Sequence, residues 1–199
     1  MGVDRKSRPT WDSPAHASSF DHRDVIRAWC DAHPQGASLD TIEHLTAQTI
    51  NQQPDVVTLR SERWSTKDLL ACEQSILDAA TAGIGRGIAT TPASTINAAI
   101  AQHATATAEQ QAVARSLTSD GDALSVLIAP AGAGKGFTLG IANRAWADAG
   151  ITVLGATIAA RAAAELSIGA GVNSMTITRL LGQLDDGKVL PRGGVLVID

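Results

Sequence analysis

Residues 124–136 read LSVLIAPAGAGKG, an apolar run followed by a glycine-rich turn and a lysine. A continuous apolar run of this kind is typical of a parallel strand that is buried on both faces. The turn comes close to the phosphate-binding pattern G-x-x-x-x-G-K-[ST], with Gly134 and Lys135 in the expected places. Ala129 in the first place is a mild departure, whereas Gly136 stands where a hydroxyl is expected. The stretch therefore predicts a strand, a phosphate-holding loop and a helix in succession.

The positions of this loop suit phosphate chemistry. Backbone N–H groups of such a turn point into one concavity, and the following helix adds its dipole. Gly132 and Gly134 permit positive φ angles, and Lys135 would place its ammonium on the β- and γ-phosphates. The candidate nucleotide-binding residues are Ala129, Pro130, Ala131, Gly132, Ala133, Gly134, Lys135 and Gly136. The alternative interpretation is a glycine- and alanine-rich turn between a strand and a helix that binds no ligand.

Gly136 bears on the metal rather than on the phosphates. A Ser or Thr at this place would give its hydroxyl to Mg²⁺, and glycine has no side chain to give. Water can fill the coordination place, because Mg²⁺ keeps several waters, but the metal would be held less firmly. Thr138 cannot replace the hydroxyl, since it lies roughly 200° further around the helix. The loop thus predicts ATP and Mg²⁺ as ligands, with slow hydrolysis at best.

Strands and helices alternate from Thr107 to the end of the sequence. Strands are predicted at 124–129, 152–157 and 193–199, and helices at 107–120, 134–150, 160–168 and 175–184. This alternation predicts an α/β domain over residues 106–199, with a parallel sheet and flanking helices. Asp199 follows the third apolar strand, as a Mg²⁺-binding aspartate does in many nucleotide hydrolases. The alternative for Asp199 is a plain acidic residue beyond a core strand.

The residues before this domain predict a smaller, mainly helical region over 21–105. Its helices are expected near 21–33, 38–51, 66–83 and 93–103, with short strands at 56–60 and near Trp64. Ser38 and Thr66 are expected to cap the second and third of these helices, and Thr107 is expected to cap the helix at 107–120. Helical spacing assigns the following residues to buried faces: Val25, Ile26, Trp29, Cys30, Leu39, Ile42, Leu45, Thr49, Ile50, Leu69, Leu70, Ile76 and Leu77. Residues 1–20, rich in Ser, Pro and charge, predict a disordered leader or linker.

Composition excludes several classes. The 199 residues contain no tyrosine, so no tyrosyl–DNA bond can form on this chain. No apolar run is long enough to span a bilayer, and the N-terminus lacks a secretory pattern, so we expect a cytoplasmic protein without a membrane partner. Cys30 and Cys72 lie far apart and predict free thiols. A net charge of −4 gives no overall signal for nucleic acid.

The order of the motifs resembles a known family. TAEQQAV, LIAPAGAGKGFTL, GATIAARAAAEL, MTITRLLG and GGVLVID follow one another as at the start of a RecD-like superfamily 1 DNA helicase motor, an AAA-type ATPase. The chain is most similar to the helicase part of large conjugative relaxases of the TraA/TrwC type from actinobacterial plasmids. RWSTKDLLACEQSILDAA resembles the helical region before that motor. The resemblance implies a partial RecA-like P-loop NTPase domain that serves plasmid transfer.

The resemblance also implies roles for single residues. Gln110 takes the place of a glutamine that binds adenine, Lys135 that of the phosphate-binding lysine, and Asp199 that of the catalytic Mg²⁺ aspartate. The residues implied to contact single-stranded DNA are Thr157, Arg161, Thr176 and Arg179.

The departures from the family are large. The family motor has two RecA-like domains with ATP between them, and this sequence stops at Asp199 in the first. No relaxase nucleophile or histidine cluster is present. Because the sequence stops on a strand that lies in the middle of such sheets, we expect a truncated gene or a fragment, with the second motor domain as an absent partner. Little or no ATPase or unwinding activity is then expected of this chain alone. Two alternatives are a non-catalytic DNA- or protein-binding module with a vestigial loop, and another class of P-loop ATPase that has lost its end.

Overall fold

The computed structural model describes residues 19–199, and the predictions for residues 1–18 lie outside the described residues. Contacts divide the chain into two units, Met1–Ala79 and Ala80–Asp199. Phe20 was predicted to belong to the leader. It is instead 3% exposed, and its backbone pairs with that of Trp64. Phe20 therefore belongs to the packed part of the first unit, although it precedes the first helix.

The first unit combines two helices with a small antiparallel hairpin. Its elements are α1 (His22–Asp31), α2 (Leu39–Gln52), β1 (Val56–Thr58) and β2 (Trp64–Thr66), and α3 (Lys67–Ala82) follows and extends past its end. Asp21 closes a capping box at α1, and Ser38 caps α2 as predicted. The hydrogen bond from the backbone N–H of Asp24 lowers the pKa of the Asp21 carboxyl. These caps explain where both helices begin.

The core of this unit confirms part of the predicted stripes. Its buried apolar members are Phe20, Val25, Trp29 and Ile42. Cys30 and Leu39 were predicted to be buried and are exposed, because Cys30 lies one residue beyond the stripe of α1 and Leu39 is the first residue of α2. Cys30 and Cys72 are both free cysteines, as expected.

The prediction for α3 is wrong for two residues. Ile76 is 53% exposed and Leu77 is 60% exposed, although helical spacing placed both on a buried face. Helical spacing identifies which residues share a face, but it does not say whether another element covers that face. Thr66 caps this helix as predicted, through a 3.2 Å bond from the Leu69 N–H.

The second unit is α/β. Its elements are α4 (Ala93–Ala101), α5 (Ala108–Ser119), α6 (Lys135–Asp148), β3 (Val153–Thr157), α7 (Ala160–Ala170), β4 (Asn173–Thr176), α8 (Ile177–Asp185) and β5 (Val195–Ile198). The three strands form one sheet in the order β4-β3-β5, and both pairings are parallel. The α/β class with a parallel sheet is therefore confirmed.

Strand β4 is a correction to the sequence prediction. MTITRLLGQL was predicted to be helical throughout, but Met175 and Thr176 belong to β4. Thr157 and Thr176 are partners in the register between β3 and β4. The Thr176 hydroxyl then caps α8 by accepting the Arg179 N–H at 3.2 Å. Thr176 ends the strand and starts the helix, so the apolar spacing of the helix hid the strand.

Residues 124–129 are the main correction. They were predicted to be a buried strand, but they form no strand in the structure, and Val126 and Ile128 are 74% and 89% exposed. Residues 124–127 and β5 both line a cavity of about 740 Å³ and exchange no ladder hydrogen bonds. Strands must lie about 4.8 Å apart to exchange hydrogen bonds. An apolar run without a partner at that distance remains an irregular extended segment.

Two apolar clusters hold the phosphate-loop helix α6 in the second unit. The first joins it to α4 and α5 through Ile96, Ala99, Ile100, Ala106, Ala114, Ile141 and Ala145. The second joins it to the sheet and α7 through Ala142, Trp146, Val153, Leu166, Ala170 and Val172. The predicted domain boundary at residue 106 stays a prediction. Across residues 19–199, no helix has the length and apolar character that a membrane span requires.

Candidate functional site

The loop before α6 has the backbone geometry that the sequence suggested. Gly132 and Gly134 have φ angles of +79° and +81°, in the left-handed region that favours glycine. A bond of 3.2 Å from the Ala133 N–H to the Pro130 carbonyl closes a turn over residues 130–133. Gly134 is the N-cap residue of α6. The loop therefore turns sharply and leads straight into the helix.

The N-terminus of α6 carries no side-chain cap. Its first turn holds no acidic residue, and Lys135 is its first residue. The first N–H groups of a helix have no partner within the helix, and the helix dipole is positive there. An uncapped N-terminus preceded by a glycine turn is the local arrangement that binds phosphate groups.

Lys135 folds back along the loop. Its ammonium donates to the carbonyl oxygen of Ala129 at 3.2 Å, and the side chain is half-buried. The bond joins the first residue of the loop to the first residue of the helix. It keeps one positive charge beside the loop backbone, where a phosphate held by the N–H groups would meet it.

Gly136 lies where α6 and α7 approach closely. A Cβ added at this position would meet the backbone carbonyl carbon of Gly169 at 3.7 Å, which is ordinary contact. Thr138 is 4% exposed, and its hydroxyl donates to the Gly134 carbonyl at 3.2 Å. The prediction that Thr138 cannot replace the absent hydroxyl agrees with this geometry, because the Thr138 hydroxyl is buried and bonded within the helix.

Asp199 lies at the carboxyl end of β5, with its N–H donating to the Ala156 carbonyl at 3.1 Å. Asp199, Lys135 and Gly136 line the same cavity of about 740 Å³. Within residues 19–199, no three His, Cys, Asp or Glu side chains are grouped closely enough to hold a metal ion. The Asp199 carboxylate could therefore hold Mg²⁺ only together with phosphate oxygens and water. Mg²⁺ usually binds in nucleotide sites in this way.

Gln110 reaches the loop from α5. Its Nε2 donates to the Ala133 carbonyl at 3.2 Å, and its Oε1 accepts the Thr107 N–H at 3.0 Å. The family resemblance seen in the sequence implied only that Gln110 contacts adenine. The bond to Ala133 was missed because the two residues are 23 positions apart, and no sequence pattern connects them.

The residues implied to contact DNA lie at the carboxyl edge of the sheet and on the helices that follow. Thr157 is fully buried, and its hydroxyl donates to the Ala159 carbonyl at 2.8 Å. Arg161 forms an exposed ion pair with Glu165 at 2.9 Å, and this bond raises the pKa of Arg161 above its already high value. Arg179 is exposed in the first turn of α8.

The structure thus brings the ends of three strands together. Thr157 ends β3, Thr176 ends β4 and Asp199 follows β5, and all three strands run in the same direction. Ligands of open α/β sheets bind outside the carboxyl ends of the strands. Asp199 lies at this edge of the sheet, and Lys135 lines the same cavity as Asp199.

Residues 105–199 match the family model of an AAA domain. No curated protein matches the chain significantly. The AAA domain match supports a helicase-like ATPase family and nucleotide binding for this part of the chain. Together with the parallel sheet, it identifies the fold of the AAA domain as that of a partial RecA-like P-loop NTPase domain, preceded by a small mainly helical region.

Proposed function

We propose that this chain is the ATP-binding part of a DNA helicase motor of the conjugative-relaxase type, in which Lys135 and the loop hold the phosphates. The observation that carries the proposal is the uncapped N-terminus of α6, with Lys135 bound back to Ala129 at 3.2 Å. ATP would bind with Mg²⁺, and Asp199 would be the protein carboxylate on the metal. The protein would act in the cytoplasm during plasmid transfer.

Weak turnover is part of the proposal. Phosphoryl transfer depends on a firmly placed metal ion. Gly136 supplies no hydroxyl, so Asp199 would share the metal only with phosphates and water. By resemblance, unwinding further requires a second RecA-like domain as partner. The chain alone would therefore bind ATP with little or no hydrolysis and no unwinding.

Single-stranded DNA is the proposed second ligand. Arg161 and Arg179 would contact the phosphate backbone from the helices that follow β3 and β4, near the carboxyl edge of the sheet. Thr157 would contribute through its place in the turn rather than its hydroxyl, because that hydroxyl is bound to Ala159. Thr176 would contribute by positioning the first turn of α8.

Calorimetric titration with ATP, in Mg²⁺ and in EDTA, tests the proposal. We expect micromolar binding that Lys135→Ala weakens about 10- to 100-fold, the loss typical of a charge-assisted hydrogen bond. Lys188→Ala is the matched control, because Lys188 is exposed on the same unit and does not line the cavity that Lys135 lines. Absence of ATP binding by folded protein would reject the proposal and favour the alternative, a non-catalytic module with a vestigial loop.

A further inference from the structure

Gln110 joins two elements of the second unit with one side-chain amide. The Gln110 Oε1 accepts the Thr107 backbone N–H at 3.0 Å, and the backbone N–H of Gln110 donates to the Thr107 hydroxyl at 3.2 Å. These two bonds close a capping box at the start of α5. The Nε2 donates to the Ala133 carbonyl at 3.2 Å. A residue fixed at the end of one helix therefore holds the middle of the phosphate loop.

The carbonyl that it holds lies in the most adaptable part of the loop. Ala133 stands between Gly132 and Gly134, which both have positive φ angles. Glycine visits many backbone conformations, so backbone preferences alone define the orientation of this peptide poorly. The peptide unit is planar and trans, so fixing the Ala133 oxygen also fixes the direction of the Gly134 N–H. One hydrogen bond thus orients the Gly134 N–H, which would donate to a bound phosphate.

Gly134 is shaped to this contact. A Cβ at position 134 would lie 2.7 Å from the Gln110 Nε2, too close for a real contact. At Gly132 a Cβ would meet no atom within 4 Å. The backbone of both residues requires positive φ, but only Gly134 must also leave room for the glutamine.

We propose that Gln110 is a positioning residue that latches the phosphate loop in its binding shape, whatever base the ligand carries. The inference rests on the proposed function, in which the loop holds phosphates. It differs from the adenine contact that the sequence resemblance implied. A latch affects every ligand that the loop binds, whereas an adenine contact affects only ligands that carry the base.

The test compares ATP with inorganic tripolyphosphate, both with Mg²⁺, in calorimetric titrations of the full chain. Gln110→Met keeps the length of the side chain and removes its polar atoms. We expect it to weaken both ligands by the same factor, roughly three- to tenfold, the size of one hydrogen bond. A loss for ATP with unchanged tripolyphosphate binding would overturn the latch in favour of base recognition. Unchanged binding of both would also overturn it.

Two control variants separate the latch from general effects on α5. Gln111→Met removes a neighbouring glutamine whose Nε2 donates to the Ala106 carbonyl at 3.0 Å, outside the loop. Thr107→Ala removes half of the capping box and leaves the Gln110 amide in place. Neither should change tripolyphosphate binding more than about twofold, because neither variant removes a hydrogen bond to the phosphate loop.

Hydrogen exchange of the ligand-free chain tests the latch without any nucleotide. Gln110→Met should speed the exchange of the loop peptide over residues 129–137, while Gln111→Met and Thr107→Ala leave it unchanged. If the wild-type chain binds neither ATP nor tripolyphosphate, the proposed function fails. The latch then depends on this exchange result alone, and an unchanged rate in Gln110→Met overturns it.

Discussion

The proposed site has a loop side, which would bind phosphates, and a metal side, which would bind Mg²⁺. The loop side contains more of the groups that its ligand needs. The loop side has an uncapped helix, two positive-φ glycines, a lysine bound to the Ala129 carbonyl and a glutamine bound to the Ala133 carbonyl. The metal side has the exposed Asp199 carboxylate and, at position 136, no hydroxyl. The difference indicates a site better suited to hold phosphates than to fix a metal ion. The variants below test this difference, in order of decreasing expected effect on binding.

The largest effect is expected on the loop side, at Gly134. Gly134→Ala forces a Cβ into a positive-φ position and against the Gln110 amide, 2.7 Å away. The left-handed conformation alone costs a residue with a Cβ about 1–2 kcal/mol, which corresponds to ATP binding about five- to thirtyfold weaker, and the contact with Gln110 adds to this loss. Gly132→Ala, with the same backbone strain and open space, should lose less in calorimetry. Equal losses in both variants would contradict the role given to the Gln110 contact.

On the metal side, Asp199→Asn removes the proposed metal ligand. We expect a loss of about 1 kcal/mol, roughly fivefold in ATP affinity, because the carboxylate is exposed and water screens its charge. The loss should vanish in EDTA, where no metal bridges the carboxylate to the phosphates. Asp186→Asn, at the exposed end of α8, is the control. A loss that persists in EDTA would show that Asp199 does not act through Mg²⁺.

Gly136→Thr should partly complete the metal side. A Cβ at this position makes only ordinary contact with Gly169, so the helices need not move apart for it. The new hydroxyl should tighten Mg²⁺-dependent ATP binding a few-fold, about 0.5–1 kcal/mol for one added ligand contact. Gly136→Ala adds the Cβ without the hydroxyl and should show no such gain.

The same threonine variant also tests the need for a second domain. In a strand-displacement assay, Gly136→Thr should not unwind DNA, because the proposed motor needs a partner RecA-like domain. Unwinding by this variant alone would reject that requirement.

The smallest effect is expected on DNA binding, from a residue proposed to contact the phosphate backbone. Arg161→Ala should weaken single-stranded DNA binding about two- to threefold and reduce the salt dependence by about 0.7, the value for one phosphate contact. Arg144→Ala is a matched control, since Arg144 forms the same i,i+4 ion pair with Asp148, at 3.0 Å. Fluorescence anisotropy at several KCl concentrations measures both. Equal effects from the two arginines would argue against a specific contact at Arg161.

Sequence reasoning reached most of the local structure. Short-range chemistry of a few neighbouring residues predicted the caps at Ser38, Thr66 and Thr107. It also predicted the start of α6 to within one residue, at Gly134 rather than the observed Lys135. Strands β3 and β5 and the parallel sheet were likewise predicted. These features depend on residues that are close in sequence, or on alternation that any α/β chain must show.

The two strand errors have one physical cause. LSVLIA and GGVLVID are both apolar and short, yet only the second contains a strand, because Val195–Ile198 pair with β3 while 124–129 pair with no strand. Strand β4 shows the opposite error. Its residues look helical locally, but they pair with Leu154–Thr157 of β3, which the local pattern does not reveal. Apolar pattern sets the tendency to form a strand, and hydrogen bonding to a second strand decides it.

The sequence by itself determined the loop, the lysine, the absent hydroxyl at Gly136 and the alternation of the α/β unit, because these are properties of residue type and spacing. Only the tertiary structure decided that Gln110 holds Ala133, that Thr157 is buried, and that Lys135 and Asp199 line one cavity. Gln110 and Ala133 are 23 positions apart, and contacts, burial and cavities of this kind depend on how helices and strands pack. Local chemistry therefore identified the candidate residues, and packing determined which of them lie together.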